Sequence, residues 1–179
     1  MKLQIGLVGL AGLASFAGAQ TFQLGDYEGQ WDNITFGSTG SAALSIVDMG
    51  GGVLSGSLDL GGFVFGQGDP DPVSFSAMLS GDVVTLDPFS DATYGDVSGG
   101  INASGDLSID LMNAAGGAFV LVTLRGTAIG DSIQFDYEIF TDVGAAPFAI
   151  GEVNVRYVPA SGAVGLLGLG GLAACRRRR

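Results

Sequence analysis

The sequence alternates strictly between apolar and polar side chains in Ile133-Gln134-Phe135-Asp136-Tyr137-Glu138-Ile139. Successive side chains of a β-strand point to opposite faces, so this stretch predicts a strand with one buried face. The same alternation occurs in Leu107–Leu111 and in Val153–Tyr157. Between residues 20 and 157 no segment shows a convincing helical period of about 3.6 residues. We therefore predict an all-β domain.

Glycine-containing turns separate the predicted strands. The chain has 32 glycines among 179 residues, and glycine readily adopts the positive φ that tight hairpin turns require. Gly81-Asp82, Gly105-Asp106 and Gly130-Asp131 each lie between apolar segments, and Gly50-Gly51-Gly52 marks another hairpin. The pattern predicts an antiparallel meander of about 8–10 strands. Such a meander can form a small barrel or a two-sheet sandwich, and the sequence leaves both open.

The charges are segregated along the chain. All 18 acidic residues lie between Asp26 and Glu152, where the only basic residues are Arg125 and Arg156. Two arginines against 18 acids give this region a net charge of −16, which excludes nucleic acid as a partner because phosphate binding needs clustered Lys or Arg. The chain has no histidine, and its one cysteine is Cys175. We expect no Cys or His catalysis, no conventional zinc site and no enzymatic activity.

Residues 1–19 have the three parts of a secretion signal. Lys2 supplies the positive start, an apolar stretch follows, and Ala17-Gly18-Ala19 places small residues before Gln20. Signal peptidase requires small residues at this point. We predict an N-terminal signal helix that is cleaved between Ala19 and Gln20, and export of residues 20–157 as a β-rich extracellular domain.

Residues 158–179 resemble the sorting signal of PEP-CTERM proteins of bacteria. Val158 and Pro159 stand at the short proline motif, residues 162–174 at the apolar helix, and the terminal basic cluster is Arg176, Arg177, Arg178 and Arg179. Ser161 replaces the second proline of the motif. The resemblance implies transient anchoring in the inner membrane by a C-terminal helix. It also implies processing by an exosortase-like membrane protease and release to the cell surface or extracellular matrix.

A second resemblance lies near the start of the domain. Gly29-Gln30-Trp31 is similar to the Gly-x-Trp motif of lipocalin-type barrels. In that family the tryptophan packs at the barrel base against an arginine of the last strand, and Arg156 lies in the last predicted strand here. The resemblance implies a structural pair in which the guanidinium of Arg156 covers the Trp31 indole. The alternative is a core tryptophan of another β-fold.

Two acidic loops are candidates for a weak calcium site, because calcium binds six to eight oxygen ligands. Their aspartates are Asp69, Asp71, Asp87, Asp91 and Asp96. Their spacing does not match an EF-hand loop, and solvated acidic loops are the favoured alternative. No other cofactor is expected.

The function expected from these features is a structural or adhesive role in biofilm or exopolysaccharide, performed by a non-catalytic protein of the cell envelope or extracellular matrix. Extracellular polysaccharide is the expected partner, besides signal peptidase and the exosortase-like protease. The alternative is a lipocalin-like barrel that binds a small apolar ligand or a glycan. A hollow interior would favour the alternative.

Overall fold

The computed structural model describes residues 22–159. These residues form eleven β-strands, one turn of 3-10 helix (η1, Val64–Gly66) and one short helical turn (α1, Ala114–Gly117). The strands are β1 (Gly25–Asn33), β2 (Ser38–Gly50), β3 (Val53–Leu60), β4 (Val73–Ser80), β5 (Val83–Leu86), β6 (Phe89–Asp91), β7 (Gly95–Ile101), β8 (Asp106–Asn113), β9 (Phe119–Ile129), β10 (Ser132–Phe140) and β11 (Ala149–Val158).

The strands form one closed antiparallel barrel. Most strands pair with their neighbours in the chain, and β1 pairs with β11. The other closing contact joins β5 to β7, where Val84 lies opposite Ile101 and Thr85 opposite Gly100. Ten strands make up the closed barrel, and β6 is an additional strand that pairs with the other half of the same β7 edge. The predicted all-β meander is confirmed, and it closes into a barrel.

The barrel wall has an apolar inner face and a polar outer face, as the alternation in the sequence requires. On β10, Ile133 and Ile139 are buried, whereas Gln134, Asp136 and Glu138 are exposed. The largest fully buried side chains belong to four different strands and point inward; they are Tyr27, Leu54, Val122 and Ile133.

One end of the barrel, here called the base, is closed. The hairpin turns β2–β3, β4–β5, β7–β8 and β9–β10 all lie there, and they contain the glycine turns predicted from the sequence. Phe22, only 3% exposed, forms a parallel bridge with Gly130, and the amide of Gln23 donates to the Gly130 carbonyl at 3.1 Å. The Tyr27 hydroxyl donates to the Gln23 carbonyl at 2.6 Å. These bonds hold Phe22 across the base.

The opposite end, here called the mouth, carries the longer connections. These are residues 34–37, 61–72, 114–118 and 141–148. Within residues 22–159, three residues other than glycine have a positive φ, and all three lie in or beside these connections: Phe65, Asn113 and Ala115. Non-glycine residues in this region of φ are strained and cluster at functional sites. The mouth is therefore the end of the barrel at which a functional site is expected.

The described residues include the end of the predicted extracellular domain. Strand β11 continues through Val158, which lies opposite Asp26 in the β1 ladder, and Pro159 follows directly. Val158 thus belongs to the barrel wall, one residue beyond the predicted boundary. Ala17, Ala19, Gln20 and Arg176–Arg179 lie outside the described residues, as do both predicted flanking helices. Within residues 22–159, no helix has the length and apolar character needed to cross a membrane.

Candidate ligand-binding cavity

The barrel encloses a cavity of about 650 Å³. Its walls come from all ten strands of the closed barrel, its floor includes Phe22 from the base, and its upper part reaches the aromatic residues of the mouth. Aliphatic and aromatic side chains make up nearly the whole lining. Ligand pockets for small molecules span roughly 300–1,000 Å³ and are mostly apolar. The volume and the apolar lining of this cavity are both typical of small-molecule pockets.

The cavity exists because the inward side chains do not meet at the centre of the barrel. Four inward-facing residues remain only half-buried because the space in front of them is open; they are Leu44, Ile109, Leu124 and Phe135. A barrel of about eight strands is just wide enough to be filled by its side chains, and the diameter grows with the number of strands. Ten strands with side chains of ordinary size therefore leave the interior hollow.

Inward-facing glycines let several aromatic rings lie flat against the wall. Each ring belongs to the residue directly opposite a glycine on the neighbouring strand, and a Cβ on that glycine would overlap the ring. Aromatic side chains that cover glycines in this way stabilise curved sheets. The rings consequently occupy the wall instead of the lumen. The pairs are Trp31–Gly40, Phe75–Gly56 and Tyr137–Gly151.

A chain of five aromatic rings crosses the mouth. The ring centroids are 5.5 Å apart between Phe36 and Phe148, 6.0 Å between Phe148 and Phe119, 5.7 Å between Phe119 and Phe65, and 6.3 Å between Phe65 and Tyr94. Phe36 is 61% exposed and Phe148 50% exposed, whereas Tyr94 is buried. The chain therefore runs from the protein surface to the cavity and offers an apolar entrance.

The loop between β3 and β4 places Phe65 over the cavity. The Trp31 indole nitrogen donates to the Gly61 carbonyl at 2.9 Å, which ties the start of the loop to the barrel wall. The Gly62 amide donates to Asp69 Oδ1 at 2.8 Å, which joins the two halves of the loop. Phe65 has a φ of 55°, an uncommon value for a bulky residue. The surrounding contacts hold this conformation against its strain.

Four polar residues line the cavity: Asn33, Ser38, Tyr94 and Tyr137. The Tyr137 hydroxyl donates to the Asp32 carbonyl at 3.3 Å, and Asn33 Oδ1 accepts from the Phe36 amide at 2.9 Å. The Tyr94 hydroxyl is buried and has no hydrogen-bond partner among the described residues. Burial raises the pKa of Tyr94 and of Tyr137 to about 12. Both phenols therefore keep their protons near neutral pH.

The predicted pair of Trp31 and Arg156 is not formed, and this prediction is wrong. Trp31 is buried inside the barrel opposite Val153, whereas Arg156 is exposed three residues further along β11, on the outer face. Residues an odd number apart on a strand point to opposite faces, so the two side chains are separated by the wall. Trp31 lies near the mouth and not at the base, where the lipocalin motif has its tryptophan.

Aspartates of the predicted acidic loops make hydrogen bonds near the mouth. Among the described residues, no three carboxylates come together in a group that could hold an ion. Asp91 Oδ1 accepts from the Thr93 and Tyr94 amides at 2.7 and 3.0 Å. Asp69 closes the β3–β4 loop, and Asp96 accepts from the hydroxyl of Ser90. Asp71 and Asp87 have no carboxylate contacts of this kind in the described part of the chain.

Comparison of the sequence and the fold with protein-family models, with curated proteins and with solved structures gives no significant match.

The cavity lining was not identified as a site from the sequence, because its leucines, isoleucines and phenylalanines are the residues of any β core. The segments between strands do contain a sequence signal for the site. Phe36, Phe63, Phe65 and Phe148 all fall in connections, where polar residues are usual. Four phenylalanines in connecting segments indicate an apolar surface at one end of the fold.

Proposed function

We propose that this domain is an exported, non-catalytic barrel that binds a small apolar ligand in its interior. The observation that carries the proposal is the apolar cavity of about 650 Å³, closed at the base by Phe22 and approached through the aromatic mouth. The acidic outer surface and the absence of histidine from the sequence fit a carrier or storage role better than a catalytic one.

The energetics of packing support this choice over a purely structural barrel. Protein interiors are normally packed as densely as organic crystals, and a cavity costs roughly 24 cal/mol per Å³. A domain that serves only as a spacer gains nothing from a hollow core, whereas a ligand that fills the cavity restores the missing contacts. The wall glycines keep aromatic rings out of the lumen, and this also favours ligand binding over a purely structural role.

A structural or adhesive role in exopolysaccharide is the second candidate. Its supporting observation is the outer face, where nearly all ionised side chains are acidic and Arg125 pairs with Asp110. Such a surface is strongly hydrated, because 18 acidic residues and two arginines give the domain a net charge of −16. Binding to purified acidic and neutral polysaccharides, measured by co-sedimentation, tests it.

We also propose that the domain reaches the cell surface or extracellular matrix. The support is the secretion signal in residues 1–19 and the PEP-CTERM-like pattern in residues 158–179. N-terminal sequencing of the extracellular protein tests the first part. The expected first residue is Gln20, and a protein that still begins at Met1 would contradict it.

Ligand binding is tested by filling the cavity from two opposite strands. Leu44 on β2 and Ile109 on β8 face each other across the ten-strand barrel, so Leu44→Trp with Ile109→Trp places two indoles in the lumen. The matched control is Ala43→Trp with Ser108→Trp, one residue away on the exposed face. The probe is N-phenylnaphthylamine, a neutral dye that fluoresces in apolar surroundings, added to delipidated protein.

We expect the wild type and the outer-face control to bind the dye, and the cavity variant to lose most of the binding while remaining folded. Equal binding by all three proteins would place the dye elsewhere and refute the interior site. Absence of binding by the wild type would refute the proposed function.

A further inference from the structure

Three polar side chains of the cavity lie together on one side of the mouth. Asn33 ends β1 and is opposite Ser38, which begins β2. On its other side Asn33 is opposite Gly151 of β11, and Gly151 is opposite Tyr137 of β10. Asn33, Ser38 and Tyr137 all line the cavity and are half-buried, so part of each side chain remains accessible. These three residues are here called the polar patch.

The polar patch keeps hydrogen-bond donors that a ligand can use. Asn33 Oδ1 accepts from the Phe36 amide at 2.9 Å, so the N–H groups of the Asn33 side chain are the part left for other partners. Burial raises the pKa of Tyr137 to about 12, and a hydrogen bond from the Asn33 side chain opposes that rise, so the two groups adjoin. The Ser38 hydroxyl can both donate and accept. A ligand oxygen suits such a patch.

The cavity has no ionised group to balance a charged ligand. Among residues 22–159, those that line it include no Asp, Glu, Lys or Arg. Arg125 pairs with Asp110 on the outer face, and Arg156 is exposed there. An ionised head group would lose its hydration inside the barrel without meeting an opposite charge, which is costly. The polar end of the ligand is therefore neutral.

The other end of the cavity is apolar. Its floor includes Phe22, and the strand ends nearest the base contribute Leu54, Leu107 and Ile133. Donors thus lie at the mouth and hydrocarbon at the base. An amphiphile satisfies both ends of such a cavity in only one orientation.

We propose that the ligand is an uncharged amphiphile that binds with its apolar chain towards Phe22 and its polar oxygen held by Asn33 and Ser38. The head group then stays close to the water at the mouth. This inference rests on the proposed function, since it assigns a ligand class and an orientation to the same cavity.

The orientation is tested with Trp31, the single tryptophan of the sequence. Trp31 lines the cavity two residues before Asn33, on the same face of β1. The ligands are two forms of dodecanol, one brominated on the carbon next to the alcohol and the other at the far end of the chain. Bromine quenches tryptophan fluorescence at close range. We expect the first form to quench Trp31 much more strongly, and equal or reversed quenching would overturn the orientation.

The head-group contacts are tested by Asn33→Ser with Ser38→Ala. A serine at the first position keeps an oxygen that can cap the Phe36 amide, whereas the amide donors and the Ser38 hydroxyl are lost. The matched control is Asn154→Ser with Ser41→Ala, on the outer face of the two strands that flank β1. Dodecanol and dodecane each displace N-phenylnaphthylamine from the delipidated full-length wild type, from the variant and from the control.

We expect the ratio of dodecanol affinity to dodecane affinity to fall about three- to tenfold in the inner-face variant, as loss of one net hydrogen bond predicts. The control should keep the wild-type ratio. Dodecanoate and dodecylammonium, at matched ionic strength, should each bind the wild type more weakly than dodecanol.

An unchanged ratio in the inner-face variant would overturn the assignment of Asn33 and Ser38. An ionised ligand that binds as tightly as dodecanol would overturn the neutral head group. Both results leave the binding function intact. If neither dodecanol nor dodecane displaces the dye from the wild type, the proposed function and this inference both fail.

Discussion

Replacement of Ile109 by tryptophan should stabilise this protein, although the same change in a close-packed core would destabilise it. Ile109 points into the barrel from β8, lines the cavity and is only half-buried. The indole can therefore extend into open space without displacing a neighbour. The matched control is Ser108→Trp, which adds the same side chain on the exposed face of the same strand.

The magnitude follows from the volume that is filled. Tryptophan adds roughly 60 Å³ to the side chain, and at about 24 cal/mol per Å³ of cavity removed the gain is about 1.4 kcal/mol. The cavity of about 650 Å³ can accept this volume many times over. For a domain of this size, the gain corresponds to a rise in melting temperature of roughly 4–6 °C.

The assay is thermal and urea unfolding of the ligand-free protein, the Ile109→Trp variant and the Ser108→Trp control. We expect the control to lie within about 0.5 kcal/mol of the wild type, as is usual for surface substitutions. In a filled core, by contrast, Ile109→Trp would lower the free energy of unfolding by about 1–3 kcal/mol, which is the usual cost of overpacking. That result, with a neutral control, would refute the hollow interior.

Four further outcomes are expected. The pKa of Tyr94 and of Tyr137 is raised to about 12, so the unfolded phenols lose their protons first and the free energy of unfolding should fall as the pH rises from about 10 to about 12. A spectroscopic titration in which every tyrosine ionises near 10 would contradict this. Trp31→Phe loses the bond to the Gly61 carbonyl and should lower the free energy of unfolding by about 0.5–1.5 kcal/mol. Amide exchange in residues 61–72 should quicken, and an unchanged rate there would argue against the anchoring role. Calcium should raise the melting temperature no more than sodium at matched ionic strength, because no three carboxylates of the described chain converge. A calcium-specific shift that Asp69→Asn with Asp71→Asn abolishes would restore the metal site. Replacing Arg176–Arg179 with serines should impair membrane retention, and unchanged surface display would show that the tail is not a sorting signal.

The strands were predictable because their signal is local. The alternation of Ile133, Phe135, Tyr137 and Ile139 with polar residues is a property of neighbouring positions, and it identifies β10 without knowledge of the rest of the chain. The same reasoning was sufficient to place Arg156 on the outer face, since it alternates with the buried Val153 and Val155. The motif resemblance led to the wrong pair with Trp31.

No local sequence pattern predicted that the sheet would close into a barrel. It depends on two residue pairs between β5 and β7, Val84–Ile101 and Thr85–Gly100, and a sandwich would show the same alternation. The hollow interior depends in turn on how many strands close, because Leu44 and Ile109 are equally suited to a filled core. The unpaired hydroxyl of Tyr94 was not predictable for the same reason, because a tyrosine between strands becomes a buried group only once the wall surrounds it.

The path of the chain at the base has a consequence for how the barrel stands on a surface. Strand β1 begins and β11 ends at the base, with Asp26 opposite Val158, and Pro159 follows the wall directly. If the proposed anchor follows Pro159, the barrel is attached to the membrane through its base. The mouth would face away from the tethering membrane. Ligand would then be exchanged with the surroundings of the cell, and the lipid layer beneath the protein would not be its immediate source.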